Sequence, residues 1–154
     1  MAAYFFDSSA LVKYYVNEIG SDWVEYLIDA QPPNEIAIAQ ITGVEVIAAL
    51  SRRVRMGTIS ATAAAATIGT FRNDFQTKFT VLALTTLLLE EAMDLAELHR
   101  LRGYDATQLA VALDLEAEMT TDGVGPLTLI SADLELNQAA QAEGLLTDDP
   151  NLHP

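Results

Sequence analysis

Residues Met1–Tyr15 read MAAYFFDSSALVKYY, and this stretch is the strongest single indicator of the fold. A short apolar run ends at a lone acid, Asp7, and the residues after it have a helical spacing. An apolar strand followed at once by a helix is typical of the first unit of an α/β protein. We therefore expect Asp7 to stand where a buried strand gives way to a helix.

Similar apolar runs recur along the chain and predict further strands. They are EIAIA at Glu35–Ala39, FTVLAL at Phe79–Leu84, LTLI at Leu127–Ile130 and the short LLT at Leu145–Thr147. The four longer runs, including AAYFF at the start, are apolar at both alternating positions. This pattern is expected of parallel strands that are covered on both faces.

Helix-period segments fill the gaps between the strands. They are SSALVKYYVNE, TGVEVIAALSRRVRMG, SATAAAATIGTFRNDF, TTLLLEEAMDLAELHRLRG, YDATQLAVALDLEAEM and DLELNQAAQAEG. The order β-αα-β-αα-β-αα-β-α predicts one domain over residues 1–154, a three-layer α/β/α sandwich with a central parallel sheet of four to five strands. In such sheets ligands bind beyond the carboxyl ends of the strands, where the strand order reverses.

Composition narrows the class of protein. Hydrophobic residues make up 51% of the 154 residues and charged residues 19%, which is typical of a globular domain. No apolar run is long enough to cross a membrane and no signal sequence is evident, so we expect a cytoplasmic protein. The chain has no cysteine, which excludes disulfides, thiolate nucleophiles and zinc-thiolate sites within it.

The net charge is strongly negative. Twenty-two acids face eight lysines and arginines, giving a formal charge of −14. Taken alone, this balance argues against a nucleic-acid partner, because phosphate binding usually requires a basic surface. The acids either form a solvated surface or include a cluster that binds divalent cations and reverses the local field. Composition leaves both readings open.

Four acids stand near predicted strand ends and helix starts: Asp7, Glu45, Asp105 and Asp133. Each has an ordinary explanation as a helix cap, including a capping box in which Thr42 is the cap and Glu45 its partner. Capping, however, does not require the acids to meet. If they converge, their mutual repulsion favours a hard divalent cation, because Mg²⁺ and Mn²⁺ prefer oxygen ligands.

Elimination points to the same chemistry. The two histidines, His99 and His153, lie late in a helix and beside the last residue, and no G-x-S-x-G motif, P-loop or G-x-G-x-x-G motif is present. Metal-assisted hydrolysis remains. Two competitors stay open: a phosphotransfer domain with Asp7 as the nucleophile, which lacks the second acid such domains place nearby, and a non-enzymatic interaction module.

The segments YFFDSSALVKYY, ITGVEVIAALSRR, LRGYDATQLAVAL and LISADLELNQAAQAEGL resemble the successive motifs of the PIN domain, especially of VapC-like toxin ribonucleases. The resemblance spans about Ala3 to Leu146 and is looser after Asp133. It implies an endoribonuclease that uses Mg²⁺ or Mn²⁺, a homodimer and a cognate antitoxin. It also implies that the four acids are the catalytic quartet and that Ser9 is the supporting hydroxyl.

Within that resemblance, Asp7 and Asp105 are expected to ligate a cation directly, with Glu45 and Asp133 binding through water or a second ion. Glu45 is our choice to orient the attacking water. Basic side chains near these acids are expected to hold the RNA, with Lys13, Arg52 and Arg53 as the chosen substrate contacts. Arg55, Arg100 and Arg102 extend the same rim, and Tyr14, Tyr15 and Tyr104 are candidates for base stacking.

Overall fold

The computed structural model describes residues 1–154 and places five strands in a single sheet between two layers of helices. The strands are Ala3–Phe6 (β1), Glu35–Ala39 (β2), Thr80–Leu82 (β3), Leu127–Ile130 (β4) and Leu146–Asp148 (β5). The helices are Ser8–Tyr15 (α1), Ser21–Ile28 (α2), Thr42–Arg55 (α3), Ala61–Thr77 (α4), Thr86–His99 (α5), Gly103–Thr121 (α6) and Leu134–Ala142 (α7). A short 3₁₀ helix, Pro150–Leu152, follows β5.

The sheet is entirely parallel, in the order β3-β2-β1-β4-β5. This confirms the predicted parallel α/β/α sandwich, including the short fifth strand. Several boundaries differ from the prediction by one to three residues, in β3, β5 and α1. β3 stops at Leu82 rather than Leu84, because the chain turns there toward the Thr85 cap of α5. α1 ends at Tyr15, and the Ser21 hydroxyl donates to the carbonyls of Lys13 and Val16 at this helix end.

Alternation along β1 divides the core into two halves. Phe5 packs with α5, α6 and α7 on one face of the sheet, while Phe6 packs with α1, α2, α3 and α4 on the other. Both side chains are fully buried. This explains why the central strands are apolar at every position: each face is covered by helices.

The strand order reverses between β1 and β4. From β1 the chain adds β2 and then β3 on one side, and it later adds β4 and β5 on the other. The register pairs Phe6 with Ile130, so Asp7 and Ser131 leave the sheet side by side at its carboxyl edge. This is the position at which doubly wound sheets bind their ligands. None of the seven helices combines the length and apolar character needed to span a bilayer.

Candidate active site

Asp7 lies between β1 and α1 and is almost completely buried, with 3% of the residue exposed. Its carboxylate caps α1 by accepting from the Ala10 amide at 3.0 Å. It also accepts from the Ser9 hydroxyl at 2.7 and 2.9 Å and from the Ser131 hydroxyl at 2.9 Å. Burial nevertheless dominates and raises the pKa of Asp7 from 3.8 to about 7, against the lowering effect of these hydrogen bonds.

The two serines connect the ends of β1 and β4. Ser9 donates to Asp7 and accepts from the Ala132 amide at 2.9 Å, while Ser131 donates to Asp7 and accepts from the Asp133 amide at 3.0 Å. Each hydroxyl therefore has both a donor and an acceptor role filled. The Asp7 carboxylate is therefore held from both sides of the switch point, by Ser9 and by Ser131.

Glu45 lies on α3, half-buried, and is held by two side chains from other elements. Oε2 accepts from the Ser8 hydroxyl at 3.0 Å, and Oε1 accepts from Nε2 of Gln108 at 2.6 Å. Burial raises the pKa of Glu45, while the bonds from Gln108 and Ser8 lower it. The predicted capping box is wrong. Thr42 is the first residue of α3, is fully buried and accepts from Gln108 at 2.8 Å instead of capping the helix.

Asp105 lies in the first turn of α6, half-buried, and its carboxylate forms no hydrogen bond within the protein. It does not cap the helix, whose N-cap position is Arg102 with no side-chain bond. Burial, followed by the charge of Asp133, raises the pKa of Asp105 from 3.8 to about 6, and the charges of Glu45 and Glu135 act in the same direction. Only the Arg102 guanidinium opposes them. Asp105 is thus an acid without a structural role in its helix and with three acidic neighbours.

Asp133 has a structural role that the other acids near Asp105 lack. Its side chain caps α7 by accepting from the Leu136 amide at 2.9 Å, as the capping interpretation predicted. Its charge still reaches Asp105. Asp7 and Asp133 therefore both cap helices, whereas Glu45 and Asp105 do not, so capping accounts for half of the quartet.

The four acids are coupled in a chain: Asp7 to Glu45, Glu45 to Asp105, and Asp105 to Asp133. Their all-oxygen donor set suits a hard divalent cation, and burial raises the pKa values of Asp7, Glu45 and Asp105. No group of three or more His, Asp or Glu side chains is close enough to hold an ion as it stands. Binding therefore requires the carboxylates to draw together, and the ligand set remains a prediction.

A cavity of about 750 Å³ opens between α3 and the start of α6, beside Ser8 and Ser9; Glu45 and Asp105 line it, whereas Asp7 and Asp133 do not. Its lining residues are Ser8, Ser9, Val12, Val44, Glu45, Ala48, Ala49, Ser51, Arg52, Arg55, Arg102, Tyr104 and Asp105. Acids and arginines thus share one hollow, at the carboxyl edge of the sheet where the fold places ligands. Such a volume accommodates a small organic group of nucleotide size.

Residues 4–142 match the family described as the PIN domain. The chain belongs to the PIN domain family. No curated protein matches it. The match covers most of the chain and includes Asp7, Glu45, Asp105 and Asp133, which agrees with the resemblance seen in the sequence.

Solved structures share the fold of this PIN domain. Mycobacterium tuberculosis VapC20, described as a sarcin-ricin loop cleaving toxin, has a TM-score of 0.65 at 20% identity, over 99% of this chain and 100% of that one. A toxin-antitoxin complex from Klebsiella pneumoniae gives 0.61 at 15%, over 96% and 98%. VapBC2 from Rickettsia felis, bound to a fragment of promoter DNA, gives 0.59 at 13%, over 96% and 98%.

Two of the three predicted substrate contacts face away from the cavity of this PIN domain. Lys13 is 6% exposed, and its amine donates to the Ile19 carbonyl and to Asn151 and pairs with Glu18 at 3.5 Å. Arg53 also pairs with Glu18. Both cations are occupied by internal partners, which corrects the expectation that they bind RNA. Arg52 alone lines the cavity.

The predicted stacking residues divide in the same way. Tyr14 donates to Asp29 at 3.0 Å and Tyr15 donates to Asp74 at 2.7 Å, so both rings are tied into the layer of α1 and α4. Tyr104 is exposed and lines the cavity. The two histidines have structural partners, since His99 contacts Glu143 at 2.6 Å and His153 stacks on Trp23 at 4.0 Å.

Several residues of the site were not among the predicted site residues: Ser8, Thr42, Gln108, Ser131 and Glu135. Ser131 could have been found, because it follows β4 as Asp7 follows β1 and neighbouring parallel strands end together. Gln108 could have been found as well, one turn after Asp105 on the same helix face. Thr42 and Ser8 carry no comparable signal, since both read as ordinary helix-start residues.

Proposed function

We propose that the protein is a metal-dependent endoribonuclease of the VapC-like type and the toxin of a type II toxin-antitoxin pair. The observation that carries the proposal is Asp105. It is a half-buried carboxylate without a hydrogen bond, whose pKa is raised to about 6 by burial and neighbouring acids, and it lines the same cavity as Glu45. An unbalanced group of this kind in a cavity is characteristic of a functional site.

A purely structural account explains this arrangement less well. Placing carboxylates together costs free energy in the absence of a counter-charge, and helix capping returns that cost only at Asp7 and Asp133. Glu45 and Asp105 gain nothing comparable from their helices. Asp7 is also a poor phosphate acceptor, because it is buried and three donors already bind its two oxygens.

We assign the cation, Mg²⁺ or Mn²⁺, to Asp7, Glu45, Asp105 and Asp133. When bound, it would lower the pKa of water and neutralise charge on the phosphoryl oxygens. Ser9 and Ser131 hold Asp7 in one orientation, and Gln108 and Ser8 do the same for Glu45. These contacts orient the Asp7 and Glu45 carboxylates before substrate arrives.

The reaction we infer is hydrolysis of an RNA phosphodiester. Glu45 orients a water molecule whose oxygen attacks the phosphorus in line. A new P–O bond forms while the bond from phosphorus to the 3′ oxygen breaks; the attacking water gives up one proton and the 3′ oxygen takes up one. The products carry a 5′-phosphate and a 3′-hydroxyl. Arg52 is the one predicted substrate contact that lines the cavity, so we retain it as an RNA ligand.

The solved relatives motivate the proposed partners. A toxin-antitoxin complex from Klebsiella pneumoniae and VapBC2 from Rickettsia felis share this fold along nearly their whole length. We infer by analogy that this protein has a cognate antitoxin and forms a homodimer. Because RNA is the proposed substrate, we expect it to act in the cytoplasm. A strict monomer in light scattering at high concentration would contradict the dimer.

The proposal is tested by cleavage of RNA with and without Mn²⁺ or Mg²⁺, comparing the wild type with Asp105→Asn. Asp114→Asn is the matched control, because Asp114 is an exposed acid on the same helix and does not line the cavity. We expect cation-dependent cleavage that falls at least 100-fold in Asp105→Asn and is unchanged in Asp114→Asn. Cleavage that survives Asp105→Asn, or that proceeds in chelator, would overturn the assignment.

A further inference from the structure

Three of the eight lysines and arginines of this acidic chain form ion pairs within the protein. Lys13 and Arg53 share Glu18 as their partner, and Lys78 pairs with Asp29 at 2.6 Å while contacting Tyr14. Arg100 lies beside Glu135 at a separate, smaller cavity, and Arg72 is exposed on α4. None of these five cations lines the active-site cavity.

The remaining three cations all line the active-site cavity: Arg52, Arg55 and Arg102. All three are exposed, and none forms an ion pair or a side-chain hydrogen bond within the protein. In a chain with 22 acids and 8 lysines and arginines, an exposed arginine has many acids available as partners. Arg72 and Arg100 also lack an ion pair, but they lie apart from each other; only Arg52, Arg55 and Arg102 line one cavity together, where they can bind an external anion jointly.

One side of the cavity is formed by α3, on which Arg52 and Arg55 lie at increasing distances from Glu45. Glu45, Arg52 and Arg55 belong to the same stripe of α3, and the rise of a helix separates Arg52 from Glu45 by about 10 Å and Arg55 by about 15 Å. Ala48 and Ala49 lie between them and line the cavity with methyl groups only. This side of the cavity therefore forms a groove that becomes positively charged with increasing distance from Glu45.

The opposite wall comes from the start of α6. The charge of Arg102 lowers the pKa of Asp105, which places its guanidinium near the acids. Tyr104 follows two residues later, is 59% exposed and lines the cavity, and its hydroxyl makes no hydrogen bond. An exposed aromatic ring beside an arginine is the arrangement on which an unstacked base packs.

We propose that Arg52, Arg55 and Arg102 bind successive backbone phosphates of single-stranded RNA while one base stacks on Tyr104. The inference rests on the proposed function, since it names the strand that the nuclease site receives. It assigns strand binding to this set in place of Lys13 and Arg53. A base held in a duplex cannot reach Tyr104, so the groove selects unpaired segments.

The test is binding of a fluorescent 12-nucleotide single-stranded RNA in chelator, over a range of salt concentrations, so that neither cation nor cleavage enters the measurement. The triple variant Arg52→Gln, Arg55→Gln, Arg102→Gln is compared with Arg72→Gln, an exposed arginine outside the cavity. Each phosphate contact on a single strand contributes about 0.7 to the slope of log affinity against log salt. We expect the triple variant to lose at least tenfold in affinity at low salt and about 2 in slope, and Arg72→Gln to lose neither.

Tyr104 is tested in parallel with Tyr104→Ala and Tyr104→Phe. Stacking requires the ring but not the hydroxyl, so Tyr104→Phe should bind as the wild type does and Tyr104→Ala about fivefold or more weakly. The same strand annealed into a duplex should bind the wild type at least tenfold more weakly than the single strand. An RNA that binds the triple variant and the wild type equally, or that fails to bind the wild type, would overturn the inference.

Cleavage measured separately distinguishes this failure from failure of the proposed function. Strand binding that depends on the three arginines, without cation-dependent cleavage, would support the groove and refute the nuclease. Cation-dependent cleavage that is lost in Asp105→Asn but unchanged in the triple variant would support the nuclease and refute the groove.

Discussion

The buried carboxylate of Asp7 makes the stability of the cation-free protein depend on pH in an unusual direction. Burial raises the pKa of Asp7 to about 7, well above its ordinary value of 3.8. Between these two pH values the unfolded chain has lost the proton and the folded chain has kept it. The folded state binds more protons there, so the free energy of unfolding falls as pH rises from about 4 to 7 and stays low above it.

The magnitude follows from the size of the pKa change. Each unit of pKa corresponds to about 1.4 kcal/mol, so ionising Asp7 in the folded protein costs up to about 4 kcal/mol relative to the unfolded chain. Asp7→Asn removes this cost while preserving the shape of the side chain. An asparagine keeps one oxygen for Ala10 and Ser9 and presents an amide to Ser131, whose hydroxyl can accept it, at a loss of about 1 kcal/mol.

We therefore expect Asp7→Asn to be more stable than the wild type by about 2–3 kcal/mol at pH 8 in chelator, and to be equal or slightly less stable at pH 4. Urea unfolding followed by circular dichroism from pH 4 to 8 measures both. Glu25→Gln removes one charge from an exposed position on α2 and serves as the control. A stability difference that does not change with pH, or an equal effect in Glu25→Gln, would refute the reasoning.

Three further substitutions test single parts of the structure. Gln108→Leu removes the donor to Glu45 and should lower RNA cleavage by about 10–100-fold at unchanged fold, measured by initial rates and near-ultraviolet circular dichroism. Lys13→Met leaves the Ile19 carbonyl and Asn151 unpaired, so it should destabilise the protein by about 2 kcal/mol in urea and leave cleavage intact. Gly20→Ala should lower the free energy of unfolding by at least about 2 kcal/mol, because Gly20 has a φ of +85° and a Cβ there would lie 2.1 Å from the Pro150 oxygen. Wild-type stability of Lys13→Met or of Gly20→Ala would contradict the packing described.

The layers of the fold follow from apolar pattern alone. Burial of Phe5 on one face and Phe6 on the other requires helices on both sides, and that is what a run without polar alternation predicts. Asp7 was predictable for the same reason, since it ends that run. What pattern could not supply was the direction of each side chain after the strand ends, because this depends on contacts between elements far apart in sequence.

The cations illustrate this limit. Arg52 and Arg53 are neighbours in sequence, but one lines the active-site cavity and the other pairs with Glu18, because adjacent positions on a helix point about 100° apart. Lys13 is separated from Asp7 by less than two turns, but it points toward Asn151, 138 residues away. Closeness in sequence to the acids therefore did not predict which of Lys13, Arg52 and Arg53 line the cavity: only Arg52 does. Thr42 does not cap α3 for a similar reason: its hydroxyl accepts a hydrogen bond from the buried side-chain amide of Gln108 on α6.

The central claim is that a divalent cation binds to the carboxylates of the four acids and offsets the repulsion between them. The most direct measurement is the anomalous difference map of a crystal soaked in Mn²⁺, with Asp105→Asn crystals treated identically. The account predicts a manganese peak coordinated by Asp7, Asp105 and at least one further acid of the quartet, weakened or absent in the variant. A wild-type map with no manganese between these carboxylates, or with manganese only on acids elsewhere on the surface, would contradict it.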